Sequence, residues 1–151
     1  MLSVIVPTLN SERDLANLLG RLVPAAVDGL VAQVIVLDGG STDATLEIAH
    51  DAGGDVVTTF AEALAVARRD WTLILPVDLR LRAGWEDAVG DHLARQGKGA
   101  LVQGERDGEG LLARLKAAPS GLLVAKSALA SAGPALDLVA LRRKHGGSAR
   151  L

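Results

Sequence analysis

The chain has 151 residues, of which 49% are hydrophobic, a formal net charge of −2 and no cysteine. A chain of this length buries roughly 70% of the surface its unfolded form exposes, so a core forms without covalent staples and a disordered chain is excluded. The slightly acidic balance argues against a general nucleic-acid binder, and the missing cysteines exclude disulfides and thiolate metal sites and fit a cytoplasmic setting. The first residues are interrupted too soon by Pro7 and Asn10 to read as a signal peptide. No apolar run approaches the ~20 residues that span a bilayer, so no transmembrane segment is expected.

Residues 2–6 are a continuous apolar run stopped by Pro7, which predicts a buried parallel strand. Leu15, Leu18, Leu19 and Leu22 follow at helical spacing. Asn10 or Ser11 is available as N-cap, Glu12 and Asp14 fall in the first turn where carboxylates suit the helix dipole, and Pro24 is expected to end the helix. Residues 34–37 predict a second strand with Asp38 at its carboxyl end. Gly39 and Gly40 then turn the chain, Ser41 or Thr42 is placed to cap a helix carrying Leu46, Ile48 and Ala49, and Gly53-Gly54 terminates it. Residues 56–60 read as a third strand, 62–69 as a short helix and 71–77 as a fourth strand ending at Asp78. This alternation predicts an α/β fold with a mostly parallel central sheet and helices on both faces.

The second half is less regular. Residues 85–95 read as a helix, 100–103 as a strand, 104–110 as a charged, glycine-rich turn and 111–117 as a helix. Residues 121–124 suggest another strand, 127–132 a short helix and 136–144 a last helix, whose Arg142, Arg143 and Lys144 read as a solvated face. No repeat, low-complexity tract or long linker divides the chain, so residues 1–151 are read as a single domain.

In an open parallel sheet, ligands bind outside the carboxyl ends of the strands, near the point where strand order reverses. Polar clusters fall there after the first strand (Pro7-Thr8-Leu9-Asn10), after the second (Asp38 to Asp43) and after the fourth (Asp78). The Gly-Gly turn lets backbone approach a ligand and the helix start behind it favours an anion, although the same residues are also ordinary turn-and-cap chemistry. Asp38 and Asp78 point more firmly to a site, because a carboxylate ending a buried apolar strand needs partners or water. No GxGxxG follows the first strand, which argues against a nicotinamide dinucleotide.

The segment Ser3-Val4-Ile5-Val6-Pro7-Thr8-Leu9-Asn10-Ser11-Glu12, with Val34-Ile35-Val36-Leu37-Asp38-Gly39-Gly40-Ser41-Thr42-Asp43-Ala44-Thr45 after it, resembles the opening of family 2 glycosyltransferases of the GT-A fold. The resemblance implies a nucleotide-binding half over residues 1–78 and a reduced acceptor-side half over 79–151. It implies a UDP- or GDP-linked sugar as partner, whose base and ribose would be held by Pro7, Thr8, Asn10 and Glu12 in the first loop, by Asp38, and by Gly40 and Ser41 in the turn. The chemistry suits: an ionised Asp accepts the imide N–H of a base, and ribose hydroxyls pair with a carboxylate or amide. In many members a DxD motif after the fourth strand also holds Mg²⁺ or Mn²⁺ against the pyrophosphate.

The chain departs from the family at both chemical positions. Residues 73–85 align with the strand-DxD-turn segment, but Pro76 stands where the first acid belongs, which leaves Asp78 as nucleotide and metal residue, or Arg80 or Arg82 as cations acting in a metal's place. Farther on, Pro134-Ala135 replaces the Glu-Asp pair that starts the family's catalytic-base helix. Asp137 is the nearest surviving acid and the candidate base for deprotonating an acceptor hydroxyl; it is equally a carboxylate at a helix start. Aromatic platforms for a sugar are scarce, with Trp85 the candidate and Trp71 read as core. His50, His92 and His145 share no metal-like spacing. Two functions follow: a small nucleotide-sugar transferase with an unknown acceptor, or a non-catalytic nucleotide-binding or regulatory descendant. An acceptor side this short is compatible with completion by a second subunit.

Overall fold

The computed structural model describes residues 1–95, 97–105, 119–133, 135–147 and 149–151. The helix expected over 111–117, most of the glycine-rich turn before it, and Pro134 lie outside the described residues. Strands β1 (Leu2–Thr8), β2 (Val31–Asp38), β3 (Asp55–Val57), β4 (Trp71–Ile74), β5 (Ala100–Gln103) and β6 (Ser120–Ala125) form one six-stranded sheet in the order β3-β2-β1-β4-β6-β5. The first four strands run parallel, and β6 is antiparallel to both β4 and β5. Strand order therefore reverses between β1 and β4, and the crevice outside their carboxyl ends is the expected ligand edge.

Alternation along the strands divides the core into two layers. Val4, Val6, Val36, Leu73 and Leu123 pack beneath helices α1 (Glu12–Val27), α2 (Thr45–Asp51) and α4 (Trp85–Ala94). Ile5, Ile35, Leu37, Ile74, Leu122 and Val124 face α3 (Phe60–Val66), a 3₁₀ turn at Lys126–Leu129 and α5 (Leu138–His145). No helix among the described residues is long and apolar enough to cross a membrane.

Several element boundaries differ from the sequence expectation. Pro24 does not end α1, which continues to Val27. Its ring is exposed, and burial of Leu22 and Ala25 keeps the last turn on the sheet despite the lost backbone bond. Neither Ser41 nor Thr42 caps α2, which starts at Thr45 after Ala44; Asp43 accepts the Thr45 N–H at 3.0 Å instead. Phe60 opens α3 rather than closing β3, because Thr59 and Glu62 form a reciprocal capping box. Trp85 is buried at the start of α4, after Gly84 turns through a left-handed φ of 78°, so it offers no platform to a sugar.

Candidate functional site

The loops after β1 and β2 are bound to each other by side chains that bond the opposite backbone. The N–H of Asn10 donates to Ser41 Oγ (2.9 Å), that of Ser11 to Thr45 Oγ1 (2.9 Å) and that of Glu12 to Asp43 Oδ2 (3.3 Å). In return the Thr42 N–H donates to Asn10 Oδ1 (2.8 Å) and the Ala44 N–H to Glu12 Oε2 (3.2 Å). Asn10 takes a positive φ of 46° to make this crossing, a conformation asparagine tolerates better than most residues. Gly39 lies so close to the first loop that a Cβ there would sit 3.3 Å from the Thr8 carbonyl oxygen, and Gly40 adopts a φ of 100°.

Asp38, 5% exposed, is the anchor of the second loop. Its Oδ2 accepts the N–H groups of Gly40 and Ser41, both at 2.9 Å. Its Oδ1 accepts the Ser41 hydroxyl at 2.5 Å and the Thr8 hydroxyl at 3.3 Å. Burial pushes the carboxyl upward, but the bonds from Ser41, Gly40 and Thr8 outweigh it and hold Asp38 below the ordinary carboxylate range. Asp43 is held low as well, chiefly by the Thr45 hydroxyl. The turn thus carries ionised carboxylates whose lone pairs are already directed at protein donors.

A cleft of about 450 Å³ opens beside this turn, lined by Pro7, Thr8, Asp38, Thr58, Thr59 and Leu136 among others. The carried-over site residues divide between it and three other places. Pro7, Thr8 and Asp38 line the cleft; Asn10, Glu12 and Ser41 belong to the loop clasp, with Gly40 in its turn. Asp78 is exposed in a separate charged hollow of about 280 Å³, shared with Asp14, Asn17, Arg21, Arg80 and Glu105. Asp137 is the N-cap of α5, accepting the Ala140 N–H at 2.9 Å. Arg82 is committed to the end of β5, donating to the Gly104 carbonyl at 2.9 Å and to Gln103 Oε1 at 3.3 Å.

Thr58 and Thr59 fall within the strand that the sequence predicts over residues 56–60, whereas they lie past the end of β3, at the start of α3. The Thr59-x-x-Glu62 spacing was the available signal, since a capping box there puts both threonines at the carboxyl edge of the sheet. Glu62 braces this rim by accepting from the Thr58 and Thr59 N–H groups, which hold its carboxyl low. Arg142, in the run expected to form a solvated face, does not lie on one. It is half-buried, its Nη2 donates to the Ser120 carbonyl, and its Nε is buried with no partner among the described residues.

Residues 3–85 match the model of glycosyl transferase family 2. Glycosyltransferase AglJ of Haloferax volcanii is 28% identical over 132 residues, covering 74% of this chain and 42% of its own length. Glucosyl-3-phosphoglycerate synthase of Mycobacterium tuberculosis is 44% identical over 63 residues, which are 42% of this chain and 19% of that protein. A crystal structure of that synthase with Mn²⁺, UDP-glucose and phosphoglyceric acid superposes with a TM-score of 0.68 at 25% identity, covering 98% of this chain and 67% of the other. The matched stretches thus cover less than half the length of these two curated relatives.

Proposed function

Since the chain belongs to glycosyl transferase family 2, we propose that it binds a nucleoside-diphosphate sugar at the cleft beside Asp38 and transfers the sugar to an acceptor. The observation that carries this reading is the position of that cleft: it opens at the carboxyl ends of β1, β2 and β3, with the Asp38 carboxylate on its wall. UDP is the nucleotide of choice because a structurally similar relative holds UDP-glucose.

In this reading Pro7 and Thr58-Thr59 flank the base, and Asp38 accepts its imide N–H. All four lone-pair directions of Asp38 are used, so one bond must yield; the 3.3 Å contact from Thr8 is the weakest and frees both a carboxylate lone pair and a hydroxyl. Asn10, Glu12, Gly40 and Ser41 serve the nucleotide by fixing the loops. The diphosphate runs toward the end of β4, where Asp78 stands. Residues 1–78 supply the base and ribose contacts, and residues 79–151 include the acceptor side.

The divalent cation that the family implies fits this donor set poorly. Mg²⁺ and Mn²⁺ take oxygen ligands, and here Pro76 supplies none; Asp78 shares its hollow with Asp14 and Glu105, yet no group of three side chains that could hold a metal ion occurs among the described residues. No step is therefore assigned to a metal. A second reading, binding without transfer, is favoured by Asp137: its carboxylate already serves as a helix cap, so a proton acceptor for the incoming hydroxyl is not set aside. Calorimetric titration with UDP, GDP and UDP-glucose, coupled to an assay for free nucleotide, separates the readings. Binding with release of nucleotide supports the transferase, binding without release supports the second reading, and no binding of any of the three overturns both.

A further inference from the structure

The corner of the sheet where the family keeps its metal has lost an acid, and the fold brings an arginine to the same corner. Strand β6 runs antiparallel to β4 and their pairing ends with Ile74 opposite Leu122, so Ser120, at the start of β6, lies on the side where β4 runs out toward Pro76. The packing there is close: a Cβ on Gly121 would lie 2.9 Å from the Ile74 carbonyl oxygen. Arg142, from the second turn of α5, reaches over β6 and anchors one guanidinium nitrogen on the Ser120 carbonyl. Its guanidinium is thus held at the end of β6 on the side toward which β4 leads into Pro76, the position of the missing carboxylate.

Three further features mark this arginine as placed for an anion. Its Nε is buried without a hydrogen-bond partner among the described residues, a costly arrangement unless another acceptor arrives. Asp78 is near enough for its field to favour the positive charge, while burial works against it. Arg143 and Lys144, which follow it in α5, are exposed, whereas Arg142 is drawn inward.

We propose that Arg142 takes the electrostatic part that a metal plays elsewhere in the family, holding the nucleotide's diphosphate directly through its guanidinium, with Asp78 as a positioning residue. This rests on the nucleotide reading above. A guanidinium presents a planar fork of N–H donors that matches two phosphate oxygens at once, and it neutralises charge without needing carboxylate ligands. Replacing an acid that gathers a cation by a side chain that is the cation leaves the net charge facing the diphosphate similar.

The test compares uridine with UDP, each titrated in EDTA and in Mn²⁺, for the wild-type protein and for Arg142→Gln and Arg142→Lys. The expected result is UDP binding in EDTA that Mn²⁺ changes by less than about threefold. Arg142→Gln is then expected to lose about 10- to 100-fold in UDP affinity, the scale of one or two charge-assisted bonds, with uridine affinity unchanged. Arg142→Lys, which keeps the charge without the fork, falls between them, and a melting curve for each variant separates binding loss from unfolding. UDP binding that requires Mn²⁺, or that Arg142→Gln leaves intact, overturns the assignment while sparing the nucleotide pocket. Failure of both uridine and UDP to bind the wild type overturns the pocket itself.

Discussion

Replacing Asp38 by alanine withdraws one carboxylate from four donors at once: two backbone amides and two hydroxyls. Hydrogen bonds to a charged acceptor contribute about 1.5–3 kcal/mol each, but the four do not add here. The Ser41 hydroxyl still accepts from Asn10, and Gly40 is exposed enough for water to reach its amide. A loss of about 2–3 kcal/mol remains, a large share of the ~5–15 kcal/mol that holds a typical domain. Asparagine is the informative contrast. Its oxygen can face the two amides and its NH₂ the two hydroxyls, which rotate to accept, so only charge assistance is lost and the cost falls to about 1 kcal/mol. Urea unfolding followed by the fluorescence of Trp71 and Trp85 measures both. Equal costs for the two variants, or a cost below about 0.5 kcal/mol for alanine, would refute the view that this carboxylate organises the turn.

The same group predicts an acid limb. Asp38 has its folded pKa below the unfolded value, so its contribution is complete above about pH 4 and is lost as pH falls through the folded value; Asp38→Asn should flatten the stability curve below about pH 4, and an unchanged slope contradicts this. Asp137→Ser keeps a good N-cap without an acid, so stability should hold within about 0.5 kcal/mol. Any nucleotide release by the protein should drop about 100-fold or more if Asp137 is the base, and undiminished release removes it from that role. Gly121→Ala should cost about 1–3 kcal/mol, because the new methyl would lie 2.4 Å from Leu75 Cδ2 and 2.9 Å from a carbonyl oxygen that cannot retreat; a stability equal to wild type speaks against the tight β4–β6 packing.

The parallel half of the fold was legible because β1 and the second half of β2 are nearly continuous buried apolar runs with a polar residue at each exit, a pattern with few alternatives. Asp38 was legible for the same reason. Pro24 misled because helix propensity is a local quantity, whereas α1 is held by Leu15, Leu18, Leu22 and Ala25 against the sheet. Thr58 and Thr59 were hidden by β-branched residues that serve a strand or a cap equally well. Arg142 was hidden most deeply: nothing local separates it from Arg143, and only the antiparallel return of β6 supplies the carbonyl that turns it inward.

The crossed bonds between the first two loops have a thermodynamic consequence. Asn10, Ser41, Asp43 and Thr45 spend the entropy of ordering this edge during folding, before any ligand arrives. A nucleotide entering beside them meets a surface already set, so its binding heat capacity should reflect its own buried area and little chain ordering. The amides of Asn10, Ser11, Thr42 and Ala44 should likewise exchange slowly in the free protein and hardly slower in the complex. Such an edge keeps its shape whatever becomes of the far side of the sheet, which is how one half of a chain can hold its pattern while the other drifts.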